Sequence, residues 1–216
     1  MFTGLSYLLL AYAITSLWEH GFHRSVLHAR RPARQAWRRW PHIGVLLRLG
    51  WFHHHVIHHR RTFLHSPFVQ FDTPAQQAAL DARVKGPVGA RMRADRYGAS
   101  VSGACQYLTV VTVPLLLNLL LAWRLHPALW WAGAGVAALP LVISKYVHPL
   151  LHDLPATSRW GAPLSAAFRR TPVFRFLRRY HLVHHARATV HYNLLPGADW
   201  LLPPSRGVAL RPRGRV

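Results

Sequence analysis

Seventeen of the 216 residues are histidine, and ten of them fall into four spaced groups. These are His23-x4-His28, His55-x2-His58-His59, His148-x3-His152 and His181-x2-His184-His185. Neutral imidazole is a ligand for Fe, Zn, Cu and Ni, so ten such rings suffice for two metal ions in one site. Helix positions i, i+3 and i+4 share a face, which aligns His55 with His58 and His59, and His181 with His184 and His185. His148 and His152 stand one turn apart. His23 and His28 are about 140° apart on an ideal helix, so their metal must sit near a helix end or a kink. Because His53 and His54 precede His55, spacing equally allows His54 with His58, and His53 and His20 are open as further substitutes. One H-x2-H-H arises by chance in roughly one such chain in ten; two copies with two further pairs do not. A solvated, pH-responsive histidine surface would not need this order. His42, His65, His126 and His191 are expected outside the ligand set.

Long apolar runs supply the elements that must position these groups. Residues 5–20, 101–123 and 128–147 are read as three membrane spans, the last two joined by the short turn Arg124-Leu125-His126-Pro127. Basic residues follow the first run with no small-residue cleavage site, so it reads as an uncleaved helix rather than a signal peptide. The segment from Ile43 to Phe52 is short and carries Arg48, which suits an interfacial position. The segments 23–100 and 148–205 form a helical cap, followed by a basic tail at 206–216. Lys plus Arg number 27 against 6 Asp plus Glu, and the arginines crowd the cap while the turn holds one. By the positive-inside rule the cap is cytoplasmic and Met1 lies outside. The expectation is an all-α integral membrane protein, one domain over 1–216, with a histidine-rich di-metal site in the cytoplasmic cap.

Several function classes drop out. A hydrophobic content of 51% excludes a disordered basic tail. The single cysteine, Cys105, excludes an intramolecular disulfide framework and any cysteine-based zinc module. Nucleic-acid binding by the arginines lacks a recognition motif and conflicts with the spans. No conventional nucleophile–base set is present, so chemistry falls to a metal. Glu19 and Asp153 adjoin histidine groups; each is a candidate acceptor fixing an imidazole tautomer, with an interfacial charge (Glu19) or a helix-end role (Asp153) equally open.

The order H-x4-H, H-x2-H-H, H-x3-H, H-x2-H-H resembles the fatty acid hydroxylase/sterol desaturase superfamily of integral-membrane di-metal oxygenases. His23-Arg24-Ser25-Val26-Leu27-His28 is similar to that family's first histidine box. The stretch from Tyr180 through His185, Tyr192-Asn193 and Asp199-Trp200 is similar to its last box and closing Asn…Asp motif. The resemblance covers about residues 5 to 202. It implies two iron ions on the ten histidines (zinc being a substitute), O2 as co-substrate, and hydroxylation of an unactivated C–H bond in a fatty acyl, sphingoid, sterol or carotenoid lipid. Asn193 and Asp199 would be supporting residues. Desaturation on the same site, or a non-catalytic metal-binding protein, are the alternatives. Two features depart from the family: three spans are read where members often have four, and Pro149 interrupts the third box, where it should kink the helix. No flavin, haem or iron–sulfur motif is present, so electrons would come from a separate transfer protein or reductase. The stretch from Phe168 to Tyr180, rich in arginine and aromatics, suits an interfacial helix on anionic lipid or a dock for that donor. The localisation implied is an integral membrane protein, in the inner membrane were the chain bacterial, with its site on the cytoplasmic face.

Overall fold

A computed structural model describes residues 2–100, 104–156, 161–187 and 194–202. The described residues are helical with no strand. Three long elements form a bundle: α1 (Phe2–Phe22), α6 (Ala104–Leu125) and α7 (Trp130–Val142). Small and polar residues let these helices meet. Tyr7, Ala11 and Ala122 are buried between them, and a Cβ at Gly133 would overlap the Tyr7 hydroxyl. The same hydroxyl donates to the Asn118 carbonyl (3.1 Å), and the Asn118 amide donates to Thr15 Oγ1 (3.2 Å). Outward from this seam stand exposed Leu5, Leu9, Leu116, Leu120, Trp123 and Trp131.

Of the three expected spans, the third is met in length: the helical run Pro127–Leu151 is long and apolar enough to cross a membrane. Among the described residues Val110–Leu125, the C-terminal part of α6, is apolar as well, while α1 mixes its apolar residues with polar ones (Tyr7, Tyr12, Thr15, Ser16, Glu19). Those polar residues have partners. Tyr12, Ser16 and Glu19 share one face of α1 and grip the segment that follows the last histidine group. Tyr12 donates to the Pro196 carbonyl at 2.6 Å, and Ser16 Oγ donates to the Leu195 carbonyl at 2.9 Å. The Glu19 carboxylate accepts from the backbone N–H of Leu194 and Leu195 at 2.9 and 3.0 Å.

The remaining helices are α2 (Arg31–Ala36), α3 (Pro41–Trp51), α4 (Pro74–Arg83), α5 (Gly86–Ala94), α8 (His148–Leu151), α9 (Gly161–Arg169), α10 (Pro172–Ala186) and α11 (Ala198–Leu201). Local chemistry starts several of them. Thr73 and Thr171 each accept a backbone N–H in the first turn of the next helix, with Pro at its first position. That cap contributes about 1 kcal/mol. Ile57, Leu80, Met92 and Tyr97 form one apolar core of this region, and Leu150, Leu151 and Phe174 another.

The segments that carry histidines depart from regular α-helix at three places among the described residues. His23–Leu27, Phe52–His58 and Ile143–Val147 are π-helical. Each closes on a histidine whose backbone N–H reaches five residues back: His28 to His23, His59 to His54, and His148 to Ile143. π-turns insert one extra residue into the helical ladder and concentrate at functional sites. Pro149 belongs to this arrangement. It occupies the first turn of α8, where a missing N–H costs little, directly after the third π-turn.

Candidate metal centre

The π-turns decide which histidines meet. With the hydrogen bond lengthened to i+5, the residues sharing a face become i, i+4 and i+5. His23 and His28 therefore come together, their rings stacked 5.0 Å apart at 15°. In the second box the same shift selects His54 with His58 and His59. Of the two residues that the spacing allowed to lead this box, it is therefore His54 and not the expected His55 that joins a group.

Two groups of ring nitrogens result, each close enough to hold one metal ion. The first comprises His58, His148, His152, His181 and His185. Its Nε2 atoms stand 3.0 Å apart for His148 and His181, 2.9 Å for His181 and His152, 3.3 Å for His152 and His148, and 3.1 Å for His58 and His185. The second comprises His23, His28, His54 and His184. There the separations are 2.8 Å for His23 and His54, 3.2 Å for His54 and His28, and 3.2 Å for His28 and His184. His59 Nε2 adjoins this second group, 3.1 Å from His54 and 3.2 Å from His184. The paired histidines thus divide: His58 and His185 face one group, His59 and His184 the other. Neighbouring helical residues diverge by about 100°, so an H-H pair reaches two adjacent sites. The rings of His59 and His185 lie 4.4 Å apart where the groups meet.

These spacings fit a metal. Nitrogens about 2.1 Å from an ion are about 3.0 Å apart at right angles and about 3.4 Å apart at the tetrahedral angle. Separations between 2.8 and 3.3 Å suit the right-angled edges of a five- or six-coordinate ion. Electrostatics agree. Burial, followed by the mutual repulsion of neighbouring rings, holds His28, His54, His58, His59, His181 and His185 well below the usual histidine range. His152 is pushed down to about 4, chiefly by burial. Rings that stay neutral keep a lone pair for a cation, and neither group contains a carboxylate among the described residues.

Outer contacts aim the rings. His152 Nδ1–H donates to the Pro67 carbonyl at 2.6 Å, which leaves Nε2 as the bare nitrogen. His148 hydrogen-bonds the Ala99 carbonyl. Phe63, buried at a positive φ of 52°, stacks on His152 at 4.2 Å and 23°. Gly98, at φ 89°, permits the adjoining turn to close: a Cβ there would stand 3.0 Å from the His58 Cβ.

The other expected site residues fall elsewhere. His55 lies outside both groups, its Nδ1 3.2 Å from His28 Nδ1. Asp153 is not an imidazole acceptor. It is exposed at φ 57°, and its oxygens accept from Arg169 (2.9 Å) and Arg178 (2.6 Å), tying α8 to α9 and α10. Glu19 anchors backbone, as described above. Asn193, His191 and the side chain of Asp199 lie outside the described residues. His42, His65 and His126 are exposed, and His20 is buried but in neither group.

Both groups border one cavity of about 110 Å³. His23 and His54 reach it from one group, His148 and His181 from the other, opposite Phe22, Leu27, Leu46, Leu49 and Leu141. His53, Arg91 and Asp95 line a further part of its wall. His53 and Asp95 are buried, with Nδ1 3.9 Å from Oδ2, and burial followed by the charge of Arg91 pushes His53 down to about 4. Sequence reasoning missed this polar trio, and its only signal was a lone acidic residue in a basic stretch. Tyr12 and Ser16 were also missed, although their spacing with Glu19 inside an apolar run marks a polar stripe.

Compared with known proteins, the chain matches no family model, no curated protein and no solved structure.

Proposed function

We propose that this protein is a membrane-bound non-haem di-iron oxygenase that hydroxylates an unactivated C–H bond of a lipid. The observation that carries this reading is the pair of adjacent histidine groups opening on one largely apolar cavity. His58, His148, His152, His181 and His185 would hold one ion; His23, His28, His54, His59 and His184 would hold the other. Iron supplies activation of O2 and one-electron chemistry that no side chain offers. Zinc would fit the imidazoles but lacks redox chemistry.

The chain's own residues do the rest. Pro67 and Ala99 keep His152 and His148 in the tautomers that expose Nε2. Phe22, Leu27, Leu46, Leu49 and Leu141 receive a hydrocarbon segment, exclude water and hold it beside the histidines. The apolar exterior of the bundle and the run Pro127–Leu151 support embedding in a bilayer, from which a lipid would enter. Exposed Val173 and Phe176 beside exposed Arg175 and Arg179 support an interfacial position for α10. The histidine order, similar to that of the fatty acid hydroxylase superfamily, supports the same chemistry.

The overall reaction consumes one C–H bond, one O2, two electrons and two protons, and yields an alcohol and water. The electrons come from a separate donor protein. Incubation of the iron-loaded protein in lipid with a chemical reductant and ¹⁸O2 tests the reading. It predicts a lipid product carrying one ¹⁸O atom. A product two hydrogens lighter without ¹⁸O identifies desaturation instead. Metal uptake with no lipid product under any reductant identifies a metal-binding protein and refutes the oxygenase.

A further inference from the structure

His55 begins the H-x2-H-H motif, yet its ring stands outside both histidine groups and touches a member of one. Its Nδ1 lies 3.2 Å from His28 Nδ1, while His28 Nε2 faces His54 and His184 at 3.2 Å each. A neutral imidazole carries one N–H, and the nitrogen that ligates must be bare. With Nε2 committed to the group, the proton of His28 resides on Nδ1, aimed at His55 Nδ1. The His55 ring is itself held in place. It stacks on Trp51 with centroids 5.8 Å apart at 26°, and the Arg34 guanidinium covers Trp51 at 4.1 Å.

We propose that His55 is a positioning residue for the second histidine group: its Nδ1 accepts the Nδ1–H of His28 and so presents His28 Nε2 to a metal ion. It does for His28 what the Pro67 carbonyl does for His152, with an imidazole as acceptor and the Arg34–Trp51 stack as its support. This inference rests on the two-metal reading above. It departs from the motif, which would make His55 a ligand. Partners of this kind, when lost, cost about 10- to 100-fold in metal affinity.

The test uses the full-length metal-free protein in detergent, titrated anaerobically with Co(II), following visible absorption and bound metal per chain. His152→Ala and His184→Ala identify which binding step belongs to which group. His55→Phe keeps an aromatic ring on Trp51 but removes the acceptor, and His55→Leu repeats the deletion should Phe misfold. Either is expected to weaken the second group about 10- to 100-fold and leave the first unchanged. His55→Asn places Oδ1 where Nδ1 stood and should restore affinity to within about threefold, because it can still accept. Wild-type affinity in His55→Phe overturns the proposal. So does an Asn variant as impaired as Phe, the result expected of a lost ligand, and so does equal loss at both groups. If the wild-type protein takes up no Co(II) at all, the metal reading itself falls, a different outcome from any of these.

Discussion

Replacement of Glu19 by Ala probes how α1 and the segment that follows the last histidine group are joined. The carboxylate is buried and accepts the N–H groups of Leu194 and Leu195 at 2.9 and 3.0 Å. Hydrogen bonds to a charged acceptor contribute about 1.5–3 kcal/mol each, and donors left buried without one carry a similar cost. Against this, Ala abolishes the desolvation of a carboxylate, which offsets part of the sum. The expected net loss is about 3 kcal/mol, or roughly a hundredfold in the local opening equilibrium. Tyr12 and Ser16 remain to hold Pro196 and Leu195, so the segment should open more often without detaching. Amide hydrogen exchange at Leu194 and Leu195 reads this directly. Both should exchange roughly a hundredfold faster in Glu19→Ala, and Glu19→Gln, which keeps one acceptor oxygen, should fall between. Unchanged protection at these two amides in the Ala variant would refute the clamp.

Gly98→Ala forces a side chain into φ 89° and sets its Cβ 3.0 Å from the His58 Cβ, costing about 2 kcal/mol; equilibrium metal titration should show the first group weakened and the second retained. Metal-free protein should lose stability as pH falls from about 6.5 towards 4. His53, His55 and His152 are pushed to about 4 in the fold, chiefly by burial, so the unfolded chain binds protons that the folded chain refuses. Unfolding followed across that range checks the sign, and stability rising on acidification would contradict it. A reporter near Lys85 should be cytoplasmic and one at Leu125 on the opposite side of the membrane, because the basic residues concentrate in the cap; protease protection in vesicles distinguishes them.

The sequence makes the histidine groups conspicuous because imidazoles repeating at helical spacing have few structural uses. It does not reveal their register. Helical spacing allows His55 with His58 and His59 or His54 with His58, and the π-turn over Phe52–His58 decides for His54 by adding one residue to the ladder. The same device resolves His23 and His28, whose wide angular separation did signal an irregular helix. Pro149 was a visible irregularity too, and its place after a π-turn explains why the box tolerates it. The Glu19 clamp was hidden for another reason. Its partners are backbone N–H groups about 175 residues away, and backbone leaves no trace in side-chain spacing. Adjacency left Asp153 open as an imidazole acceptor or a helix-end residue; it stands just past the end of α8 at positive φ and faces two arginines. The apolar runs announced helices; a polar stripe runs along α1, and among the described residues the run Pro127–Leu151 is long and apolar enough to cross a membrane.

Counting metal in protein purified without oxygen tests the central claim most directly. Two ions per chain are expected for the wild type, one each for His152→Ala and His184→Ala, and none for the double variant, because these residues belong to different groups. His54→Ala should behave like His184→Ala. A wild type that binds no metal, or single variants that keep both ions, would contradict the two-site arrangement of these histidines.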